Sequence, residues 1–199
     1  MLDRSAYQFH PSFVLGFHGT EKSIVNKVVK QQRRTHLDHS TKSYDWLGHG
    51  VYFWENDPAR GLEWAASGKK NGKIAHPDVV GAIVDLGRCL DLTTQIGLKE
   101  VRLAHHVYKN LMLEAGLPMV SNRMGKDRVL RDLDCAVIET LHQMREDQQL
   151  APYDSIRAAF PEDEPLYAEA GFRAKNHIQL CILNETNCIK GYFRPLSAA

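Results

Sequence analysis

The run Gly-His-Gly-Val-Tyr-Phe-Trp-Glu-Asn-Asp-Pro, Gly48 to Pro58, fixes a strand, a break and a helix start within eleven residues. Val51, Tyr52, Phe53 and Trp54 are β-branched or aromatic, the residue types that suit a pleated, buried surface. Two glycines precede them and leave room for a close turn. Asn56-Asp57 then supplies a helix cap, and Pro58 suits the first helical turn because its missing N–H has no intrahelical partner there. The spacing predicts a helix through "ARGLEWAASGKK", stopping near Gly68 or Gly72. Any fold for this chain must therefore bury a ring-laden strand and start a helix directly behind it.

The remaining elements show no regular strand–helix–strand rhythm. "SFVLGFHGT" reads as a short buried strand, and "EKSIVNKVVKQ" spaces Ile24, Val25, Val28 and Val29 at helical intervals. A polar connection follows. Val79 to Leu86 is a second core strand. "GLKEVRLAHHVYKNLMLEAG" is an amphipathic helix closed by Gly116 and Pro118, and "RDLDCAVIETLHQMRED" another, with Cys135, Ile138 and Leu141 on its apolar side. "YDSIRAAF" is strand-like, the acidic, proline-containing "PEDEPLYAEAGFRAKN" is a loop, and "HIQLCILN" and "CIKGYFRPL" are late strands. This order predicts an α+β fold rather than a doubly wound parallel sheet. We expect one domain over 1–199, with a helical insertion at about 98–150. Neither G-x-G-x-x-G nor G-x-x-x-x-G-K occurs, so the familiar glycine-rich phosphate cradles are excluded.

A formal net charge of +1 argues against a chain built for broad electrostatic grip on duplex DNA. A local basic groove from Lys27, Lys30, Arg33, Arg34 and Lys42 stays open. Four cysteines lack any paired spacing, which predicts buried thiols in a reducing compartment. His36, His39, His105 and His106 have no ligand spacing, so no metal is expected. The N-terminus lacks a signal-peptide layout and no apolar run approaches ~20 residues. The expected location is cytoplasmic, with no membrane partner.

Three of these segments together resemble the ADP-ribosyltransferases of the poly(ADP-ribose) polymerase and diphtheria-toxin type. The first is "FHGT" at Phe17–Thr20, matching a His-Gly-Ser/Thr turn with His18, Gly19 and Thr20. The second is "GHGVYFWE", matching G-x-G-x-Y-F with Gly48, Gly50, Tyr52 and Phe53, and Trp64 stands where that family has its second aromatic. The third is "HIQLCILN", with Gln179 where the family usually has Glu. The resemblance implies a split β-sandwich of mainly antiparallel strands with surrounding helices, and NAD as substrate in a cleft between two small sheets. It implies that His18 bonds an adenosine-ribose hydroxyl, that Gly19 lets main-chain groups reach the nicotinamide carboxamide, and that Tyr52 and Trp64 sandwich the ring. Thr20 and Gly50 border the same cleft. His18, Tyr52 and Gln179 are the catalytic candidates.

The expected reaction is NAD-dependent mono-ADP-ribosyl transfer with release of nicotinamide, a glycosyl transfer through an oxocarbenium-like state. The acceptor is a macromolecule, protein or nucleic acid. By analogy, a catalytic domain of this size looks like a toxin or defence effector, with an antitoxin or inhibitor protein as partner. Gln179 departs from the family's pattern, because an amide can hydrogen-bond but cannot take a proton. Three explanations stand: transfer without a base there, an acid such as Glu162 or Glu164 from the preceding loop, or a non-catalytic NAD or ADP-ribose module. An interaction domain whose aromatics are all core is a further alternative. Arg157 has two readings, contact with the NAD pyrophosphate or a structural pair between neighbouring residues. His177, two residues before Gln179, shares its side of the strand.

Overall fold

A computed structural model describes residues 13–123 and 129–196, without the side chain of Arg33. The signal-peptide reading of the N-terminus falls mostly on residues 1–12, outside the described residues. The order of elements is β1 (Val14–Glu21), α1 (Lys22–Gln31), β2 (Val51–Glu55), α2 (Pro58–Lys70), β3 (Pro77–Val84), β4 (Cys89–Asp91), α3 (Gln95–Glu114), α4 (Asp132–Asp147), β5 (Ser155–Phe160), β6 (His177–Ile182), α5 (Glu185–Cys188) and β7 (Ile189–Phe193). Asp57 caps α2 as expected, its side chain accepting from Arg60 N, with proline in the first turn. Thr94 caps α3 in the same way.

Among the described residues, seven strands join in one open sheet, in the order β4-β5-β6-β2-β1-β3-β7. This corrects the expectation of two separate sheets. Every pairing is antiparallel except β4 with β5, the pair joined through α3 and α4. The chain is therefore α+β with a mixed, mainly antiparallel sheet and helices around it. The pairing at the seam between β1 and β2 is the shortest in the sheet. β1 pairs with β3 along its full length, from Val14 opposite Val84 to Glu21 opposite Pro77. It meets β2 only at Gly16–Glu55 and Phe17–Trp54.

Two cores follow from the alternation of side chains across the sheet. One joins Val25 and Val28 of α1 to Val51 and Phe53 of β2, Val80 of β3, Leu180 of β6 and Tyr192 of β7. The other joins Ala104 and Tyr108 of α3 and Ile138 and Leu141 of α4 to Leu47, Ile156 and Cys181. β2 thus has both faces covered. Phe53 is fully buried on one side and Trp54, at 5% exposure, is buried on the other, so both rings are interior. All four cysteines are free and buried. Among the described residues, no helix is long and apolar enough to cross a membrane.

Candidate functional site

The seam opens immediately beyond Phe17. Main-chain groups of a strand alternate sides with a period of two. Leu15 O accepts from Asn56 N on the β2 side, and Phe17 pairs with Trp54. By the same period Gly19 turns its N–H and C=O toward β2, past the point where the β1–β2 pairing has ended. Glycine is needed there for packing as well. A Cβ on Gly19 would stand 1.8 Å from the main-chain oxygen of Gly61 in α2.

His18 bridges the opening. Its Nδ1 lies 2.7 Å from the main-chain oxygen of Tyr52. A carbonyl only accepts, so Nδ1 carries the proton, and in the neutral ring Nε2 keeps a free lone pair. Burial holds the His18 pKa below its ordinary value, which favours that neutral ring. The ring also lies 5.7 Å from Phe53 and 6.5 Å from Trp64, centroid to centroid.

Tyr52 is fixed at both ends. Its hydroxyl donates to Gly48 O at 2.6 Å and accepts from Leu47 N at 2.8 Å. Burial pushes its pKa well up, so the phenol stays protonated. Gly48 adopts φ +74°, a left-handed turn that glycine takes without strain. That turn is pinned to α4, where Glu139 accepts from His49 N at 2.8 Å. His49, Cys135 and Glu139 form a group with metal-ligand atoms within 4.8 Å of one another, which the spacing of the sequence did not reveal. Burial raises the Cys135 thiol to about 11, and its Sγ donates to Lys42 O, while His49 Nδ1 lies 3.5 Å from Glu139.

These residues border an open cleft of about 780 Å³, within the range of about 300–1,000 Å³ usual for small-molecule sites. His18, Gly19, Thr20, Gly50, Tyr52, Trp64 and Gln179 all line it. Trp64, on α2, is 47% exposed at its edge. The structure adds Trp54 and Arg60 to the cleft wall and places Glu162, one of the two candidate loop acids, there as well. Trp54 carried no signal beyond its place in a strand, since only the covering of both faces of β2 brings it here. Among the described residues, Trp54 Nε1, Arg60 Nε and Gln179 Oε1 are buried polar atoms with no hydrogen-bond partner. Such atoms are costly unless something else satisfies them.

Arg157 is elsewhere, and the pyrophosphate reading is corrected. Cross-strand partners share a face, and Arg157 stands opposite Leu180, which stands opposite Phe53. Gln179 and Trp54 are on the other face. Arg157 makes a bidentate pair with Glu55, at 2.7 and 3.0 Å, and reaches Asp91 at 3.4 Å. Its ion-pair partners lie far away in sequence, on β2 and β4, rather than among its neighbours. Glu164 is exposed on the loop, away from the cleft wall, whereas Glu162 lines it. His177 shares the face of Gln179 but is buried between Trp46 and Phe160, its Nδ1 donating to Lys175 O at 2.9 Å. Of the basic cluster, Lys42 borders the cleft, beside Tyr44, while Lys27 and Lys30 project from α1 into solvent.

No protein-family model matches the chain, and no curated protein matches it.

Proposed function

We propose that the chain is an NAD-dependent mono-ADP-ribosyltransferase whose substrate lies across the opened β1–β2 seam. The observation that carries this reading is the convergence of His18, Gly19, Tyr52, Trp64 and Gln179, from four separate elements, on one cleft of suitable size. The shortness of the β1–β2 pairing supports this reading, although the strands remain joined in one sheet.

The residues fit the chemistry of the dinucleotide. A neutral His18 offers Nε2 to a ribose hydroxyl of the adenosine half. The unpaired edge of Gly19 offers a donor and an acceptor to the carboxamide. Tyr52 and Trp64 present flat faces to the cationic nicotinamide ring, where stacking adds about 0.5–1.5 kcal/mol beyond burial. Gln179 Oε1, which has no partner among the described residues, accepts from a hydroxyl of the nicotinamide ribose. Holding both halves of NAD rigidly while the ribose carbon moves is the catalytic contribution of such a cleft. NAD is the substrate, and no metal enters the reaction.

The substitution of Gln179 for a carboxylate favours a second reading, a module that binds NAD or ADP-ribose without turnover. The deciding experiment incubates the protein with adenylate-labelled NAD⁺ and a cell extract. Label that becomes attached to macromolecules supports the transferase, and its loss on nuclease or protease treatment identifies the acceptor class. Saturable NAD⁺ binding with no transfer selects the module.

A further inference from the structure

We propose that Glu162, delivered by the loop between β5 and β6 and held by Arg60, takes the acceptor's proton during transfer and supplies the charge that Gln179 lacks. The inference rests on the transferase reading above.

Glu162 lines the same cleft as Tyr52, Trp54, Trp64 and Gln179. Its Oε2 accepts from Arg60 Nη2 at 2.7 Å, and its side chain is 21% exposed. An acidic loop is ordinarily a solvated turn, but this one is laced shut. Leu166 N donates to Phe172 O, Ala174 N to Glu164 O, and Lys175 N to the main-chain oxygen of Glu162 itself. Lys175 Nζ, 2.9 Å from Glu63 and 3.2 Å from Asp163, ties the loop to α2. Glu162 thus sits at the anchored base of the loop, two residues beyond β5. Glu164 sits on its exposed side.

Arg60 is bonded to Glu63 and Glu162 through its terminal nitrogens, and its Nε is buried without a partner. In the same cleft wall two donors, Arg60 Nε and Trp54 Nε1, and one acceptor, Gln179 Oε1, are unmatched among the described residues. That set suits a bound molecule rich in both hydroxyls and acceptor oxygens, next to an ionised base. Arg60 holds the Glu162 carboxylate in place at the cleft wall.

In the step, the bond between the ribose anomeric carbon and the nicotinamide nitrogen breaks, and its electron pair leaves with neutral nicotinamide. A lone pair of the acceptor's hydroxyl oxygen forms the new bond to that carbon. The hydroxyl proton passes to the Glu162 carboxylate and from there to water.

The test compares wild type, E162Q, E162D and E164Q in labelling of cell extract from adenylate-labelled NAD⁺, with NAD⁺ affinity measured on each. E162Q keeps an acceptor for Arg60 but cannot take the proton. We expect it to lower labelling about 100-fold or more, with NAD⁺ affinity within twofold of wild type. E162D retains at least a tenth of the activity, and E164Q is unchanged. Labelling by E162Q within threefold of wild type overturns the assignment alone, as does a loss that tracks NAD⁺ affinity. A wild type silent with extract overturns the transferase reading, and this assignment with it.

Discussion

The imidazole of His18 donates from Nδ1 to the main-chain oxygen of Tyr52 across 2.7 Å, at the place where β1 stops pairing with β2. One side chain thus satisfies a carbonyl that lost its strand partner and leaves a lone pair facing the cleft. His18→Ala removes both contacts. A neutral hydrogen bond contributes about 0.5–1.5 kcal/mol, so NAD⁺ affinity should fall roughly three- to tenfold, as read by calorimetric titration.

Tyr52 separates ring from hydroxyl. In Tyr52→Phe the ring remains for stacking while Leu47 N–H and Gly48 C=O lose their shared partner. The expected cost is about 1–3 kcal/mol of stability, with NAD⁺ binding retained. Tyr52→Ala also removes the stacking face and should weaken NAD⁺ tenfold or more, roughly the 1.5–3 kcal/mol of a buried aromatic. Chemical denaturation and titration of both variants check this. Equal NAD⁺ affinity in the two would show that the ring is core alone.

Gly19→Ala should destabilise the protein by about 1–3 kcal/mol, because its new methyl meets the backbone of Gly61 rather than a movable side chain. Gly61→Ala meets only the Val79 side chain, at 3.0 Å, and should be milder. Thermal melts of the two variants give the order directly.

Arg157→Met tests the corrected role of that residue. Arg157 and Glu55 are 18% and 11% exposed, and removing one partner of a buried pair costs about 3–5 kcal/mol, toward the lower end for a pair that water still reaches. NAD⁺ affinity per folded molecule should not change. A tenfold loss of affinity in folded protein would return Arg157 to the binding site.

Burial lowers the pKa of His18, His142 and His177 below the ordinary 6.5. A group with a depressed folded pKa binds more protons when unfolded, so stability rises with pH through its window. The contribution is complete above about 6.5 and is lost as pH falls toward the folded values. The lowered carboxylates Glu21, Glu63, Asp132 and Asp163 act the same way, but below their ordinary 3.8 to 4.5. Glu185, raised by burial, acts in the opposite sense from 4.5 upward. Melting temperature should therefore decline from about pH 6.5 downward, and fall again above about pH 8.5, where unfolded thiols ionise while burial keeps Cys89, Cys135, Cys181 and Cys188 protonated in the folded protein. A His142→Gln variant should show a shallower decline.

Much of the frame was legible because single residues announce their geometry. Asp57 before Pro58 marked α2, the spacing of Cys135, Ile138 and Leu141 marked α4, and the rings of β2 marked a buried strand. What stayed hidden was set by partners distant in sequence. Whether Arg157 faces the cleft depends on its standing opposite Leu180 and not Gln179, a one-residue matter of register that no local pattern encodes. Trp54 joined the cleft because helices cover both faces of β2. Glu162 was one of three glutamates in an acidic loop until Arg60 and Lys175 distinguished its place.

The most direct measurement is release of nicotinamide from NAD⁺ by the purified protein, with and without cell extract, by wild type and by Tyr52→Ala. The account predicts release by wild type that rises with extract and falls at least tenfold in a folded Tyr52→Ala. Absence of release under every condition, or release indifferent to Tyr52, would contradict it.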